Sequence, residues 1–496
     1  MPKFIIFFLS FFILACSLKP SYKEPKAEFN ANSNMLECME KEGLKCSQNS
    51  NNEVRFAKQW WRIFNDEELN RLIELALKNN TDLRLAFVRF GQAAQTLGIN
   101  RSDLFPKLDA QGSASRAKTA KNSPTNASGA SRLGNSYALN LNLSYELDLW
   151  GKYRDGYLGA KRAYEAGALD FEAARLSLVA SVASLYFNAI NLNNQVQILE
   201  ESVQDYAQSY ELRNEQFKVG AIGEYELYSY KAQLESARAQ LVSAKASKDN
   251  NDKALMILVS ADLNEILYSV SKQSKIENFK VELPQGISSE ILLQRPDIQA
   301  ALKRLEEKNY LVGVARTAFL PSISLTGILG FQSSQLNNIL GQNSLGYSGA
   351  ASSLLPIFRW GEIRYNVNLA KLAKDEAYLN YENVLKTAFG EVRTALIGRE
   401  SAFLNEKNYA NLLSSEEKVF ELAQIRYDNG SVSLNDLLSA RSAYLSAKRS
   451  YESSVYELLN SIINVIKAFG GGFDMNEDYE DSVLQSGKAL DMSFRE

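Results

Sequence analysis

Histidine is absent from this 496-residue sequence, and proline and cysteine are scarce, at nine and three residues. Without histidine, the chain lacks the commonest general base and the commonest metal ligand. It also lacks a P-loop of the form GxxxxGKS/T and a Ser-His-Asp set. The 55 basic and 58 acidic residues nearly balance, which argues against a nucleic-acid surface. The composition therefore predicts a protein that is not an enzyme and has no metal site, no cofactor and no nucleic-acid partner.

The sequence contains two copies of one pattern, offset by 215 residues at first and by 210 later. Three pairs of matching segments keep their order: Ile99–Leu108 with Val314–Ile323, Trp150–Arg154 with Trp360–Arg364, and Phe217–Ile222 with Tyr427–Val432. Each copy reads as helix, strand, strand, long helix, helix. An internal repeat of this length sets the architecture before any local feature does. We place the first repeat at 58–283, the second at 284–473 and a C-terminal tail at 474–496.

The N-terminus has the features of an export signal. Lys3 is followed by an apolar run, Phe4–Leu14, which is too short to span a bilayer as a helix. The following Ala15-Cys16 resembles a bacterial lipobox, which implies removal of residues 1–15 and a covalent lipid on Cys16. The alternative is an ordinary signal peptide with an incidental cysteine. In the first interpretation, residues 16–57 form a lipidated, polar N-terminal arm.

Cys38 and Cys46 both lie in this arm. An exported protein meets an oxidising compartment, so a local disulfide between them is one interpretation. Two free thiols are the other. Two sulfurs without any histidine make a metal site here improbable on ligand count alone.

A strand is predicted at about 136–150, because apolar and polar residues alternate there with a period of two. This length and pattern suit a membrane strand with one face toward lipid and tyrosines near the interfaces. The lipid-facing residues would be Tyr137, Leu139, Leu141, Leu143 and Tyr145. Partner strands are expected at about 107–117, 322–332 and 345–358. Four strands cannot close a barrel in lipid, where bacterial barrels start at about eight strands, so a trimer pooling about 12 is expected.

A very long helix follows each pair of strands, at about 151–218 and 362–428. Each is nearly free of interruption and would extend roughly 100 Å at ~1.5 Å per residue. A shorter helix returns after each, at about 225–260 and 434–469, so the chain forms two helical hairpins with tips near Gly220 and Gly430. A coiled-coil rod or spacer is the alternative, but such rods do not normally carry membrane-type strands.

Six short motifs occur in order between residues 58 and 473. They are Trp61-x-x-Phe64-x-Asp66-x-x-Leu69, Ala76-Leu77-x-x-Asn80-x-Asp82-Leu83, Leu293-Gln-Arg295-Pro296-Asp297-Ile298, Phe319-Leu320-Pro321-Ser322-Ile323, Gly430-x-x-Ser433-x-x-Asp436-x-Leu438 and Ala468-Phe-Gly470-Gly471-Gly472-Phe473. Together they resemble the TolC/OprM class of outer-membrane efflux channels. The resemblance is greatest to the CmeC-type lipoprotein members that serve RND-type drug pumps.

This resemblance implies a mainly α-helical protein with a membrane β-barrel. Three protomers would form a 12-stranded β-barrel in the outer membrane, a long α-barrel across the periplasm and an equatorial belt of short helices. It implies a lipid-anchored, passive exit duct for drugs and other toxic small molecules. Its partners would be a periplasmic adaptor protein and an inner-membrane RND transporter. The alternative is a TolC-like duct for protein secretion with an ABC exporter.

The resemblance also assigns roles to the hairpin tips. The tip residues implied to dock the adaptor are Gly220, Ala221, Ile222, Gly430, Ser431 and Val432. The aperture carboxylate of the family falls on Asp436, its companion acid is replaced by Ser439, and Asn435 would add a neutral polar ring. Tyr427 and Glu226 fall on the positions of a latch that closes the tip, and ordinary packing near a turn is the alternative for them. The alternative for Asp436 is a helix N-cap or first-turn acid, which the helix dipole favours.

Overall fold

The computed structural model describes residues 17–21, 59–120, 132–260 and 292–472. The helices are α1 (Glu67–Asn79), α2 (Thr81–Ser102), α3 (Lys152–Lys218), α4 (Glu224–Val259), α5 (Pro296–Thr317), α6 (Glu362–Asp428) and α7 (Leu434–Ala468). The strands are β1 (Lys107–Thr119), β2 (Arg132–Glu146), β3 (Ser322–Ser333) and β4 (Leu345–Leu354). The predicted signal peptide, the lipidated Cys16, the Cys38 and Cys46 pair and the tail 474–496 lie outside the described residues.

The chain divides into two compact units. The first unit takes its described residues from Met1–Lys26, Phe90–Gly167 and Ala301–Tyr381, and it contains the four strands. The second unit takes them from Ala27–Arg89, Ala168–Ala300 and Glu382–Glu496, and it contains both hairpin tips. The two 67-residue helices, α3 and α6, each pass from the first unit into the second.

The strands form one antiparallel sheet in the order β1-β2-β3-β4. The register places Leu141 beside Leu329 and Ala110, and Leu329 beside Tyr347. Because side chains alternate between faces along a strand, these residues share one face, which is apolar across all four strands. Leu141 is 44% exposed in the protomer. Within the described part of the chain, the outer edges of β1 and β4 have no strand partner.

Two strands have boundaries about four residues away from those expected from the sequence. The strand expected at 136–150 starts earlier, at Arg132, and stops at Glu146. It stops because the carboxylate of Asp148 accepts hydrogen bonds from the backbone N–H groups of Tyr153 and Arg154, which begins α3. The strand expected at 345–358 stops at Leu354, two residues before a proline that cannot donate to a strand ladder.

The core of the second unit lies around the start of α1. Asp66 caps this helix, since its Oδ1 accepts hydrogen bonds from the backbone N–H groups of Glu68 and Leu69. The hydroxyl group of Tyr186, on α3, donates to the other carboxylate oxygen of Asp66 at 2.7 Å. Phe64 and Phe187 pack edge to face, 5.0 Å apart, and both are fully buried. Each such side chain contributes about 1.5–3 kcal/mol through burial.

Candidate functional site

The two hairpin tips have the same backbone geometry. In the first, the N–H of Gly220 donates to the carbonyl of Phe217 at 2.9 Å, and the N–H of Ala221 donates to that of Gln216 at 2.8 Å. Gly220 has a φ of +73°, which glycine adopts without strain. This pair of bonds is a Schellman motif, which satisfies the last carbonyl groups of α3 and ends the helix.

The second tip repeats these bonds 210 positions later. The N–H of Gly430 donates to the carbonyl of Tyr427 at 2.9 Å, and the N–H of Ser431 donates to that of Arg426 at 2.8 Å. Gly430 has a φ of +68°. Both glycines and the residue after each are exposed, whereas Ile222 and Val432 are half-buried. The tips therefore present two turns with the same backbone geometry, of which the second has the more polar side chains.

Asp436 forms a capping box with Ser433 at the start of α7. Oδ2 of Asp436 accepts hydrogen bonds from the Ser433 hydroxyl, at 2.7 Å, and from the Ser433 backbone N–H, at 3.1 Å. The Ser433 hydroxyl oxygen in turn accepts from the Asp436 N–H at 3.2 Å. The Ser433 hydroxyl and backbone N–H lower the pKa of the Asp436 carboxyl, because they stabilise its charged form. Asp436 therefore acts as a first-turn acid of α7 in the structure. Its hydrogen bonds with Ser433 keep this exposed carboxylate ionised at the tip.

Asn435 links the two hairpins. Its Oδ1 accepts a hydrogen bond from the hydroxyl of Tyr230, on α4, at 3.1 Å. The guanidinium of Arg213, on α3, donates to the same hydroxyl at 3.3 Å and lies over the Tyr230 ring, 5.0 Å from its centroid. The Ser439 hydroxyl donates to the backbone carbonyl of Asn435 at 2.8 Å. One chain of contacts therefore joins α3, α4 and the first turn of α7.

Tyr230 and Arg213 are not among the residues predicted from the sequence. The available signal was the spacing of Leu227, Tyr230 and Leu234, which places all three on one buried face of α4. That spacing identifies a packed tyrosine but does not give its partner. Tyr427 and Glu226, the residues proposed as a latch, are described, and no hydrogen bond joins them within the described protomer. Their pairing stays a prediction.

Further contacts join α7 to its neighbours above the tip. The guanidinium of Arg441 forms an ion pair with Asp205 on α3. The hydroxyl of Tyr206 donates to that of Ser442 at 3.0 Å. The ring of Tyr444 stacks on Phe420 of α6, with the ring centroids 5.7 Å apart. The second and third turns of α7 are therefore fastened to both long helices.

No group of three or more His, Cys, Asp and Glu side chains among the described residues could hold a metal ion. The polar residues at the tips form helix caps and links between helices. Nothing in this geometry arranges a nucleophile with a base.

The family model described as "Outer membrane efflux protein" matches residues 72–260 and 287–471, one match in each repeat. The chain belongs to this family. It is similar to the cation efflux system protein CusC of Escherichia coli O157:H7, with 29% identity over 95% of this chain and 99% of CusC. It is also similar to the probable efflux pump outer membrane protein TtgC of Pseudomonas putida, with 30% identity over 94% of each.

Among solved structures, the CmeC outer membrane channel of Campylobacter jejuni matches with a TM-score of 0.87 and 46% identity, over 97% of this chain and 100% of CmeC. The predicted fold class, mainly helical with a membrane sheet and an internal repeat, is confirmed. The protein is an outer-membrane efflux channel that extends into the periplasm, and its family is one of channels and not of enzymes.

Proposed function

We propose that this channel is the outer-membrane component of a tripartite multidrug efflux pump. In this proposal it is a passive, trimeric exit duct for drugs and other toxic small molecules. An inner-membrane RND transporter supplies the energy, and a periplasmic adaptor protein opens the duct by binding the hairpin tips. The similarity to TtgC and CusC, both named as parts of efflux systems, supports this role.

The observation that carries the proposal is the four-stranded sheet with one apolar face and two open edges. An unpaired edge is costly in a bilayer, because no water is available to bond its N–H and C=O groups. In the proposed trimer, β1 of one protomer pairs with β4 of the next, and the barrel closes with 12 strands. The apolar face, with Leu139, Leu141 and Leu143 at its centre and Tyr137 and Tyr145 toward its ends, would then contact lipid.

Each repeat, 58–283 and 284–473, would contribute one pair of strands and one hairpin to the wall of the duct. Three copies of Asp436 would form an anionic ring at the periplasmic aperture, with Asn435 beside it and Ser439 one turn further on. Such a ring attracts cations over about 8 Å at physiological salt. Tyr427 and Glu226 would act as a latch between neighbouring hairpins. Export would remove residues 1–15 and leave a lipid on Cys16, with Cys38 and Cys46 paired.

Ethidium accumulation in cells tests the proposal. A strain that lacks the protein should accumulate more ethidium than its parent, and a plasmid copy should restore the parental level. A copy lacking residues 345–354, which form β4, should fail to restore it because the barrel cannot close. Unchanged accumulation in the deletion strain would contradict the drug-exit proposal. Loss of particular proteins from the culture medium would instead support secretion with an ABC exporter.

A further inference from the structure

The face of the sheet that carries Leu139, Leu141 and Leu143 is basic at one end. The register of the strands, with side chains alternating between faces, shows which strand residues share this face. Among the strand residues that the structure describes, Arg116 and Lys118 are the only charged ones on it, and both are exposed. They lie two positions apart on β1, about 6.6 Å along the strand. These two residues are here called the basic pair.

The opposite face of the sheet carries charges of both signs. Lys107 lies on it and forms an ion pair with Asp103 at 2.8 Å. Glu146 also lies on it and forms an ion pair with Lys152 at 3.0 Å. By contrast, neither side chain of the basic pair forms an ion pair or a hydrogen bond with another residue that the structure describes.

The basic pair lies at the extracellular end of the sheet. At the other end, the strands are connected to α2, α3, α5 and α6. Because the protein is an outer-membrane channel that extends into the periplasm, the end that leads to the helices is the periplasmic one. The register places Tyr137 beside Ala114, and Asn135 beside Arg116 at the next position on the same face. The basic pair therefore begins directly beyond Tyr137, at the extracellular limit of the apolar face.

No acidic residue lies near the basic pair in the sheet or in the connections at its extracellular end. Residues 110–145 contain four basic residues and no Asp or Glu, and residues 317–358 contain no charged residue. In the proposed trimer, β4 of the next protomer would lie beside β1, and its residues 345–354 bring no charge either. The chain as a whole is slightly acidic, with a net charge of −3. The counter-charge of the basic pair must therefore come from a molecule outside the sheet.

We propose that Arg116 and Lys118 bind the phosphate groups of lipids in the outer leaflet of the outer membrane. The sheet and such a lipid have the same order of chemistry along their length. The acyl chains lie along Leu139 and Leu141, and the phosphate group reaches the basic pair. The guanidinium of Arg116 can form two parallel hydrogen bonds with a phosphate, while the Lys118 ammonium acts as a compact positive charge. The inference rests on the proposed function in one respect, the contact between the apolar face and lipid.

A lipid phosphate fits the basic pair better than a dissolved anion does. An exposed basic residue gains little from a dissolved anion, because water competes for both partners and salt screens their charges. A lipid phosphate is joined to acyl chains that contact the apolar face beneath the basic pair. The first contact therefore raises the effective concentration of the phosphate for the second, and the two contacts together bind more tightly than either alone.

The test uses the full-length protein purified in detergent, and native mass spectrometry measures the lipids bound to it. Diphosphorylated lipid A is the probe, because it joins two phosphate groups to several acyl chains. Dephosphorylated lipid A has the same acyl chains without the anion, and inorganic phosphate supplies the anion without the acyl chains. The same spectra give the number of chains in each assembly.

Arg116→Gln and Lys118→Gln should each weaken the binding of diphosphorylated lipid A about fivefold, and the double variant about 25-fold, from the contribution of one basic residue at an anionic lipid surface. Lys107→Gln is the matched control, since it removes one exposed charge of β1 from the opposite face at the periplasmic end. It should bind the lipid as the parent protein does. Dephosphorylated lipid A should bind weakly and equally to the parent and to all variants.

Equal binding of diphosphorylated lipid A by the double variant and by the Lys107→Gln protein would overturn the site. Equal binding of the two forms of lipid A by the parent protein would overturn it as well, because the acyl chains alone would then explain the contact. Displacement of the lipid by inorganic phosphate at the same concentration would identify a site for a dissolved anion and refute the lipid.

The outcome for this site is separable from that for the proposed function. A double variant that has lost the lipid but still lowers ethidium accumulation would leave the drug-exit proposal standing. Failure of the parental copy to lower ethidium accumulation would contradict that proposal without changing the lipid measurement. Assemblies of other than three chains in the spectra would contradict the proposed trimer.

Discussion

The hydroxyl group of Tyr230 donates a hydrogen bond to Oδ1 of Asn435, across 205 positions of sequence and from one hairpin to the other. Tyr230 is 6% exposed, and Arg213 donates to the same hydroxyl. The contact fixes the first turn of α7, which carries Asp436, against the first hairpin. A shift of one hairpin past the other would break this bond, so in the proposed duct the bond opposes opening of the tip.

Tyr230→Phe should therefore favour the open tip. The change keeps the ring packing and removes only the hydroxyl, which contributes about 1 kcal/mol in each protomer. We expect higher mean conductance in planar bilayers and more frequent openings. Tyr225→Phe is the control, because Tyr225 lies at the same tip with 86% of its surface exposed. If the two variants gave the same currents, the Tyr230 hydroxyl would have no part in holding the tip.

Asp436→Asn should weaken the cation preference of the channel. The amide keeps the size of the carboxyl group but removes one negative charge per protomer from the proposed aperture. The reversal potential in a KCl gradient measures this preference. Ser433→Ala is the matched variant, since it breaks the capping box, at a cost of about 1 kcal/mol, but keeps the charge. Loss of selectivity in both variants alike would show that the cap, and not the charge, is what matters.

The pH dependence of this selectivity should follow the Ser433 hydrogen bonds. They lower the pKa of Asp436, so the stability they contribute is present above the ordinary aspartate pKa of about 3.9 and is lost as the pH falls through the lowered value. Ser433→Ala removes the hydroxyl bond and should move the loss of cation preference to higher pH. Reversal potentials recorded from pH 7 downward give the pH at which half of the cation preference is lost, for the parent protein and for the Ser433→Ala variant. A midpoint unchanged by the substitution would contradict this account.

Tyr186→Phe should destabilise the second unit. Its hydroxyl is buried and donates to Asp66, whose carboxylate also caps α1, and burial raises the pKa of this tyrosine. The substitution leaves a carboxylate oxygen of the half-buried Asp66 with one bond fewer, which costs about 1–3 kcal/mol. Thermal unfolding in detergent should show a lower midpoint than for the parent protein. Tyr225→Phe again serves as the control, and an equal midpoint for the two would refute the role of this bond.

Much of the fold could be predicted from the sequence because the decisive patterns are local. The alternation with a period of two at 136–149 indicates a strand, because it does not match the 3.6-residue period of a helix. The glycine at each tip can end a helix without strain. The exact end of β2 was not predictable in this way, since the alternation continues through Leu149 while the hydrogen bonding changes at Asp148. There a side-chain cap competes with the strand ladder, and residue pattern alone does not rank the two.

The candidate site was less accessible to such reasoning. Asp436 was predicted as an aperture acid from family resemblance, with a helix cap as the alternative, and the structure contains the cap. The link between Tyr230 and Asn435 joins residues in different repeats, and no local periodicity specifies which buried face meets which. The hydrogen bond that the Ser17 hydroxyl donates to the Asp155 carboxylate is harder still to predict, because it depends on how a short segment reaches a helix 138 positions away.

The unpaired edges of β1 and β4 also have a genetic consequence. If each barrel is completed by three identical chains, a cell that expresses two versions of the chain makes mixed barrels. With equal expression and random assembly, only about one barrel in eight would consist of parental chains alone. A chain that folds and inserts normally but carries a tip that cannot open would therefore suppress export even in the presence of a functional copy, and its effect would be dominant.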